Sequence, residues 1–270
     1  MKKRVFENRV VIITGAASGI GKALSLKFAS MGAKIGIIDM DGQRARILER
    51  DMGISGTEAL AVPCNVADEI AAKDAVETLA GHFGGIDILV NNAGITLRDA
   101  FINTHASAYK KVMEVNFFGS LYCTRAAIGY LIKRKGMIII TSSIAGFAPV
   151  PGRTGYCASK YALHGLFETL RLELLKDGVH VMMVCPTFVK TDLQTRALGG
   201  DGRITAHPQS KMGREHSPDE LAHRILKAAA KRKNLVIPSL QGKIAWWVNR
   251  IAPGLYGRIV IKQFQSELDR

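Results

Sequence analysis

No stretch of this sequence approaches the roughly 20 consecutive apolar residues that a membrane-spanning helix needs, so the chain is expected to be soluble or, at most, attached to a membrane surface. The basic start, Met1-Lys2-Lys3-Arg4, leads only to the short apolar run Val10 to Ile13. That run ends in a glycine turn with no cleavage pattern and does not read as a signal sequence. Cysteines are few: Cys64, Cys123, Cys157 and Cys185 lie far apart, with no CxxC pair. This excludes a disulfide framework and reads as reduced thiols in a cytoplasmic protein. Repeats and low-complexity segments are missing. His207 and His216 have no companions at metal-ligand spacing, so they read as solvated loop residues and no metal is expected. No basic stripe is interleaved with aromatics, so nucleic acid is not an expected partner.

What is present is a chain of 270 residues, 47% hydrophobic and 22% charged, enough for a sizeable core and suited to one α/β domain. The net charge of +14 is uneven: residues 211–270 hold twelve Lys/Arg against five Asp/Glu, half of the excess. Phosphate-bearing cofactors, anionic lipids or acidic substrates are favoured there.

Short β-rich runs alternate with helix-length segments along the whole chain. The strands expected are Val10–Thr14, Lys34–Asp39, Ala59–Asn65, Ile86–Asn91, Met137–Ser142, His180–Cys185 and Leu235–Pro238. Most are continuous apolar runs, as strands of a parallel sheet buried on both faces should be. Helices are expected over Gly21–Met31, Ala67–Phe83, Ala106–Arg134, Gly155–Lys176 and Pro218–Lys231. The last begins at Ser217-Pro218-Asp219-Glu220, which combines an N-cap serine, a first-turn proline and a capping-box glutamate. The pattern implies an α/β fold, a doubly wound, seven-stranded parallel sheet with helices on both faces. Residues 1–240 form the main domain and 241–270 an amphipathic tail. Residues 192–216, with Gly199, Gly200, Gly202, Pro208 and Gly213, read as a long flexible substrate loop.

After the first strand comes Thr14-Gly15-Ala16-Ala17-Ser18-Gly19-Ile20-Gly21, leading into a helix. Gly15 can make the tight turn, Gly19 admits a pyrophosphate close to the backbone, and Gly21 lets helix pack on sheet. Strand, turn and helix together mark a dinucleotide site. Asp39, 18 residues after Gly21 at the end of the second strand, can accept the adenosine-ribose hydroxyls and would repel a 2′-phosphate. Met40 and Ser18 bring no positive charge. NAD is therefore expected over NADP, with Arg44 and Arg46 nearby as the features that speak for NADP.

Tyr156 and Lys160, four apart, project from one helix face. A tyrosine ordinarily ionises near pH 10; a neighbouring ammonium favours its phenolate and lowers that value, as would a positive nicotinamide ring. The glycine turn, Asn91-Asn92-Ala93-Gly94, Asn116, Ser143, and Tyr156 with Lys160 together resemble the short-chain dehydrogenase/reductase family, from about Val10 to about Pro238. The resemblance implies a Rossmann-type sheet with its active site at the C-terminal strand ends, and an oxidoreductase moving a hydride between the nicotinamide and a carbinol carbon. It makes Tyr156 the general acid/base and Lys160 its partner, which also bonds the nicotinamide ribose. Ser143, 13 before the tyrosine, polarises the substrate oxygen, with Ser142 as its neighbour and competitor. Asn116 holds a water linking Lys160 to solvent, or else kinks its helix. The cofactor set it implies comprises Gly15, Ala17, Ser18, Gly19, Ile20, Gly21, Asp39, Met40, Asn65, Val66, Asn92, Ala93, Gly94, Tyr156, Lys160, Pro186, Val189 and Thr191. Two residues depart from the family: Asn65 stands where an aspartate is usual, and Pro186-Thr187 replaces Pro-Gly, where a branched side chain is expected to narrow the nicotinamide pocket.

Phe147, Ala148, Val150, Pro151 and Phe188, with the 192–216 loop, form an apolar wall suited to a hydrophobic alcohol or ketone. In the tail, Ile244, Trp247, Val248 and Ile251 recur at helical spacing, and Pro253-Gly254 separates them from Tyr256, Ile259, Val260 and Phe264. Lys243, Arg250, Arg258 and Lys262 decorate the segment. Such a tail covers the pocket, contacts another subunit, or lies on an anionic membrane. Ala158, Ala162 and Gly165 allow close helix approach, and the family implies a homodimer or homotetramer. The alternative is a non-catalytic protein that senses the cofactor or binds a membrane surface, which an intact Ser143, Tyr156 and Lys160 disfavours.

Overall fold

The computed structural model describes residues 5–206, 209–210 and 213–268; His207 and Pro208 lie outside them. The seven strands are β1 (Val10–Thr14), β2 (Lys34–Asp39), β3 (Ala59–Pro63), β4 (Ile88–Asn91), β5 (Met137–Thr141), β6 (His180–Val184) and β7 (Leu235–Val236). They make one parallel sheet in the order β3-β2-β1-β4-β5-β6-β7. Every residue of β1, β4 and β5 is buried, because helices cover both faces, and this is why these strands are unbroken apolar runs.

Helices α1 (Gly19–Ala29), α2 (Gly42–Ile54), α3 (Glu69–Phe83), α4 (Ala106–Met113), α5 (Gly119–Arg134), α6 (Thr154–Glu173), α7 (Pro218–Ala229), α8 (Leu240–Ile251) and α9 (Pro253–Leu268) complete the chain. Leu24 and Phe28 of α1, Leu48 of α2 and Ile225 of α7 pack on one face of the sheet. Val76 and Leu79 of α3, Cys123 of α5 and Leu163 and Phe167 of α6 pack on the other. Chain order reverses between the neighbours of β1, so a crevice opens at the C-terminal strand ends beside it. The capping box expected at Ser217 and Glu220 is present at the start of α7.

Three expectations change. Residues 106–134 are not one helix: a π-helical turn at Glu114–Phe118 separates α4 from α5. Asn116, within that turn, bonds the backbone of Ile95 in both directions, which holds the turn wide. Within the 192–216 segment, Leu198 and Gly200 are tied to the chain after β4. Leu198 exchanges backbone hydrogen bonds with Thr96 and Arg98, and the Asp99 carboxylate accepts from Gly200 N at 2.9 Å. The strands also end up to two residues inside their expected bounds, leaving Asn65, Ser142 and Cys185 in the loops at the crevice.

Candidate active site

The glycine turn joins β1 to α1. Ser18, at the N-cap of α1, makes no capping bond with its side chain, as is also the case at the N-caps of α4, α5 and α6. The N–H groups and positive end of α1 therefore face the crevice without that partner, as an anion requires. Gly19 sits at φ +50°, and a Cβ there would stand 3.1 Å from the Thr191 methyl, so the space beside the turn exists because Gly19 has no side chain. Lys22, Arg44 and Asp192 are among the residues lining a cleft of about 330 Å³ next to it. This cradle fits a pyrophosphate.

The end of β4 braces the turn. Asn92 Nδ2 donates to the carbonyls of Thr14 (3.0 Å) and Gly15 (3.2 Å), while Thr14 Oγ1 accepts from the N–H groups of Asn92 and Ala93, each at 3.0 Å. Thr14 was not among the residues singled out from the sequence; its place beside the glycine motif was the available signal. The Asp39 carboxylate accepts from Ala17 N (2.9 Å) and Asp41 N (3.0 Å), which fixes it at the rim of the turn. Met40 is exposed, and Arg44 is engaged with Asp41 (3.3 Å) and Asp192 (3.1 Å). Asn65 is exposed, with Oδ1 accepting from Ala67 N at 3.2 Å, and Val66 is buried under Gly119.

Ser143, Tyr156, Lys160 and Asn116 come together at the ends of β4 and β5. Ser143 caps the short turn Ile144–Gly146, its Oγ accepting from Ala145 N at 3.2 Å. Ser142 is turned instead toward Gly146, His164 and Cys185. Lys160 is only 4% exposed; its Nζ lies 5.6 Å from the centre of the Tyr156 ring and donates to the Thr141 carbonyl at 2.9 Å. Asn116, fully buried, also donates to Ser159 Oγ at 2.9 Å. A Cβ on Gly94 would lie 3.1 Å from Asn116 Oδ1 and 3.7 Å from Lys160 Nζ, which measures how closely these groups converge.

The electrostatics differ from expectation. In the chain without ligands, burial pushes the Tyr156 phenol up to about 12, against a hydrogen bond with Ser143 that pulls it down. Burial also holds Lys160 down at about 8, with Cys185 acting weakly the other way. Removal from water is the largest influence on the phenol and leaves it above its ordinary value.

Thr187, expected to narrow the pocket, donates through Oγ1 to Ser239 Oγ at 3.2 Å at the start of α8. Val189 is buried and pairs with His216 along the backbone, while Pro186 O accepts from Ile144 N. Phe147 and Ala148 pack with Tyr256, Val260 and Phe264 of α9, and Val150 and Phe188 join them. Asn249 Nδ2 donates to Phe147 O (2.9 Å) and the Tyr256 hydroxyl to Pro149 O (3.2 Å).

A residue pair not foreseen from the sequence lies behind this wall. Arg153, three residues before Tyr156, forms a two-pronged ion pair with Glu267 of α9, at 2.7 and 3.2 Å. The side chains are 6% and 1% exposed. Glu267 also accepts from Ser210 N, so one carboxylate joins the 192–216 loop, α9 and the start of α6.

A family model for short chain dehydrogenases matches residues 9–199. Dehydrogenase/reductase SDR family member 7B of Bos taurus is 31% identical over 268 residues, covering 96% of this chain and 82% of that protein. Dehydrogenase/reductase SDR family protein 7-like of Anopheles gambiae is 32% identical over 270 residues, covering 97% and 85%. The crystal structure of a short chain dehydrogenase/reductase from Burkholderia phymatum in complex with NAD matches with a TM-score of 0.83 at 24% identity, over 94% of this chain and 96% of that one, a likeness of fold. The glycine turn, the parallel sheet and the matched span agree: this chain belongs to the short-chain dehydrogenase/reductase family of oxidoreductases.

Proposed function

We propose that the protein interconverts a secondary alcohol and a ketone on a hydrophobic substrate, with NAD in preference to NADP. The observation that carries this reading is the convergence of Ser143, Tyr156, Lys160 and Asn116 beside an apolar cluster. A bound nicotinamide supplies or accepts the hydride. Tyr156 handles the hydroxyl proton: its phenol is protonated at neutral pH, so it can donate to a carbonyl oxygen, and release of that proton needs the phenol's value brought down when cofactor and substrate are bound. Because Ser143 Oγ accepts from Ala145 N, its own hydrogen is free to point at the substrate oxygen or at the phenol. Lys160 spends one of its three N–H groups on Thr141 and keeps two for the ribose and for a water held near Asn116.

For the cofactor, Gly15, Ala17, Ser18, Gly19, Ile20 and Gly21 take the phosphates, and Asp39, Met40, Asn65 and Val66 take the adenosine. Asn92, Ala93, Gly94, Pro186, Val189 and Thr191 surround the nicotinamide half. Each Asp39 oxygen retains a lone pair for a ribose hydroxyl, while its charge repels a 2′-phosphate. That the relative from Burkholderia phymatum was solved with NAD supports this choice.

Residues 1–240 act as the cofactor-binding and catalytic unit, with 241–270 as an accessory hairpin. The open small-residue face of α6, where a Cβ on Gly165 would meet nothing within 4 Å, supports a homodimer or homotetramer. Free thiols at all four cysteines support a cytoplasmic location. A panel of hydrophobic alcohols and ketones assayed with NAD and NADP tests the reading. Tyr156→Phe should lower kcat at least about 100-fold. Turnover close to the parent in that variant would reject Tyr156 as acid/base.

A further inference from the structure

The α8–α9 hairpin has two apolar faces, and only one is used. Tyr256, Val260 and Phe264 are buried against Phe147 and Ala148. On the outside, Leu240, Ile244, Trp247 and Ile251 follow one another at spacings of four, three and four along α8, which puts them in a single stripe. Leu255 and Ile259, four apart on α9, are exposed beyond the Pro253 joint. All six are exposed, Trp247 by 59% and Ile251 by 75%. Exposed leucines and isoleucines scattered singly need no explanation; a stripe of four on one helix, with two more on the next, does.

Among the described residues of the hairpin, the exposed charged side chains beside the ridge are cations. Lys243 and Arg250 run along one edge of the stripe on α8, and Arg258 and Lys262 share the outer face of α9; all four are exposed. None forms an ion pair among the described residues, although Arg250 stacks on Trp246 at 3.7 Å. The tail's one described acid, Glu267, is buried and taken by Arg153. Charge decides between the candidate occupants. A second copy meeting this face about a two-fold axis would bring the same four cations together with no acidic partner, which is unfavourable. A surface carrying fixed negative charge over an apolar layer satisfies both the ridge and its border.

We infer that the outer face of α8–α9 docks on an anionic lipid bilayer, with Leu240, Ile244, Trp247, Ile251, Leu255 and Ile259 entering the headgroup boundary and the cations meeting lipid phosphates and carboxylates. The attachment is interfacial: among the described residues no helix is long and apolar enough to cross a membrane. The inner face of the same hairpin closes the apolar wall next to Ser143, so docking brings that wall to the edge of the lipid. The inference stands on the hairpin alone and does not depend on the proposed reaction.

The test is co-sedimentation of the full chain with vesicles of phosphatidylcholine, alone and mixed with phosphatidylserine. Binding is expected to the mixed vesicles, weakening as salt rises, with a blue shift of tryptophan emission. Lys243→Gln, Arg258→Gln and Lys262→Gln together should weaken partitioning by about fivefold per charge removed. Trp247→Ser with Ile251→Asp should abolish it while leaving the melting temperature and the cofactor affinity at parent values, since neither side chain is packed in the core. Absence of binding to the mixed vesicles, or equal binding to both kinds, overturns the proposal. So does sedimentation equilibrium showing a lipid-free dimer that Ile251→Asp dissociates, because the face then belongs to a second copy.

Discussion

Replacing Glu267 by glutamine keeps the shape of the side chain and removes its charge, leaving the Arg153 guanidinium buried without a counter-charge. The pair is nearly inaccessible to water, at 6% and 1% exposure, so little solvent is available to take over. Stranding one member of such a pair costs about 3–5 kcal/mol. The alternative is that α9 lifts off and lets water reach Arg153. Its apolar anchors, Tyr256, Val260 and Phe264, are each worth about 1.5–3 kcal/mol of burial, together about 4.5–9 kcal/mol, which matches the upper end of the stranding cost or exceeds it. The helix should therefore stay docked and the whole fold should carry the loss. With an unfolding entropy of about 2.1 cal/mol/K per residue, the melting temperature should fall by about 5–9 °C. Calorimetry measures this directly. Arg153→Met with Glu267→Leu replaces the pair by apolar groups of similar size and should recover most of the stability, giving a coupling of at least about 2 kcal/mol in the double-mutant cycle. A Glu267→Gln protein melting within about 1 °C of the parent, with coupling below about 0.5 kcal/mol, would refute the reasoning.

Asp39→Asn removes the charge that opposes a 2′-phosphate while retaining an acceptor for Ala17 N, so the ratio of kcat/KM with NAD to that with NADP should drop at least about tenfold. Gly19→Ala places a Cβ 3.1 Å from Thr191 on a backbone at φ +50°, which costs about 1–2 kcal/mol and fills the phosphate cradle; cofactor Kd by fluorescence titration should rise about tenfold or more. Lys160 holds its proton less tightly folded, at about 8, than at its ordinary 10.5. Between those values the unfolded chain binds more protons at this site, so its contribution to stability rises with pH by about 3 kcal/mol. Tyr156, held near 12 when folded against an ordinary 10, works the other way only at the top of this window, where the unfolded phenol ionises. Lys160→Met should flatten this rise in urea unfolding at pH 7.5 and pH 9.5, an unchanged slope counting against the assignment.

The sheet was legible because its physics is local in sequence. A parallel strand covered on both faces must be apolar throughout, and β1 and β2 match their expected bounds to the residue. Strand ends were less so, since Asn65, Ser142 and Cys185 continue the pattern in residue type but turn away to line the crevice. Helix α2 gave little signal because only Ala45, Leu48 and Met52 of it are buried. The π-helical turn was hidden because its cause, the Asn116 link to Ile95, spans 21 residues. The Arg153–Glu267 pair spans 114, and neither residue carries a local pattern that would pick it out. Thr187 is a related case: its hydroxyl bonds Ser239, 52 residues on.

The candidate site shows the same division within one helical turn. Spacing alone places Tyr156 and Lys160 on one face, and it correctly suggests a phenol beside an ammonium. Spacing does not say how much water the pair keeps. Burial decides, since the phenol ends at about 12 instead of below 10. The consequence is chemical. In the proposed reaction, a phenol held that high keeps its proton at neutral pH, and running toward the ketone requires it to give that proton up first, which a further positive charge near the ring would favour.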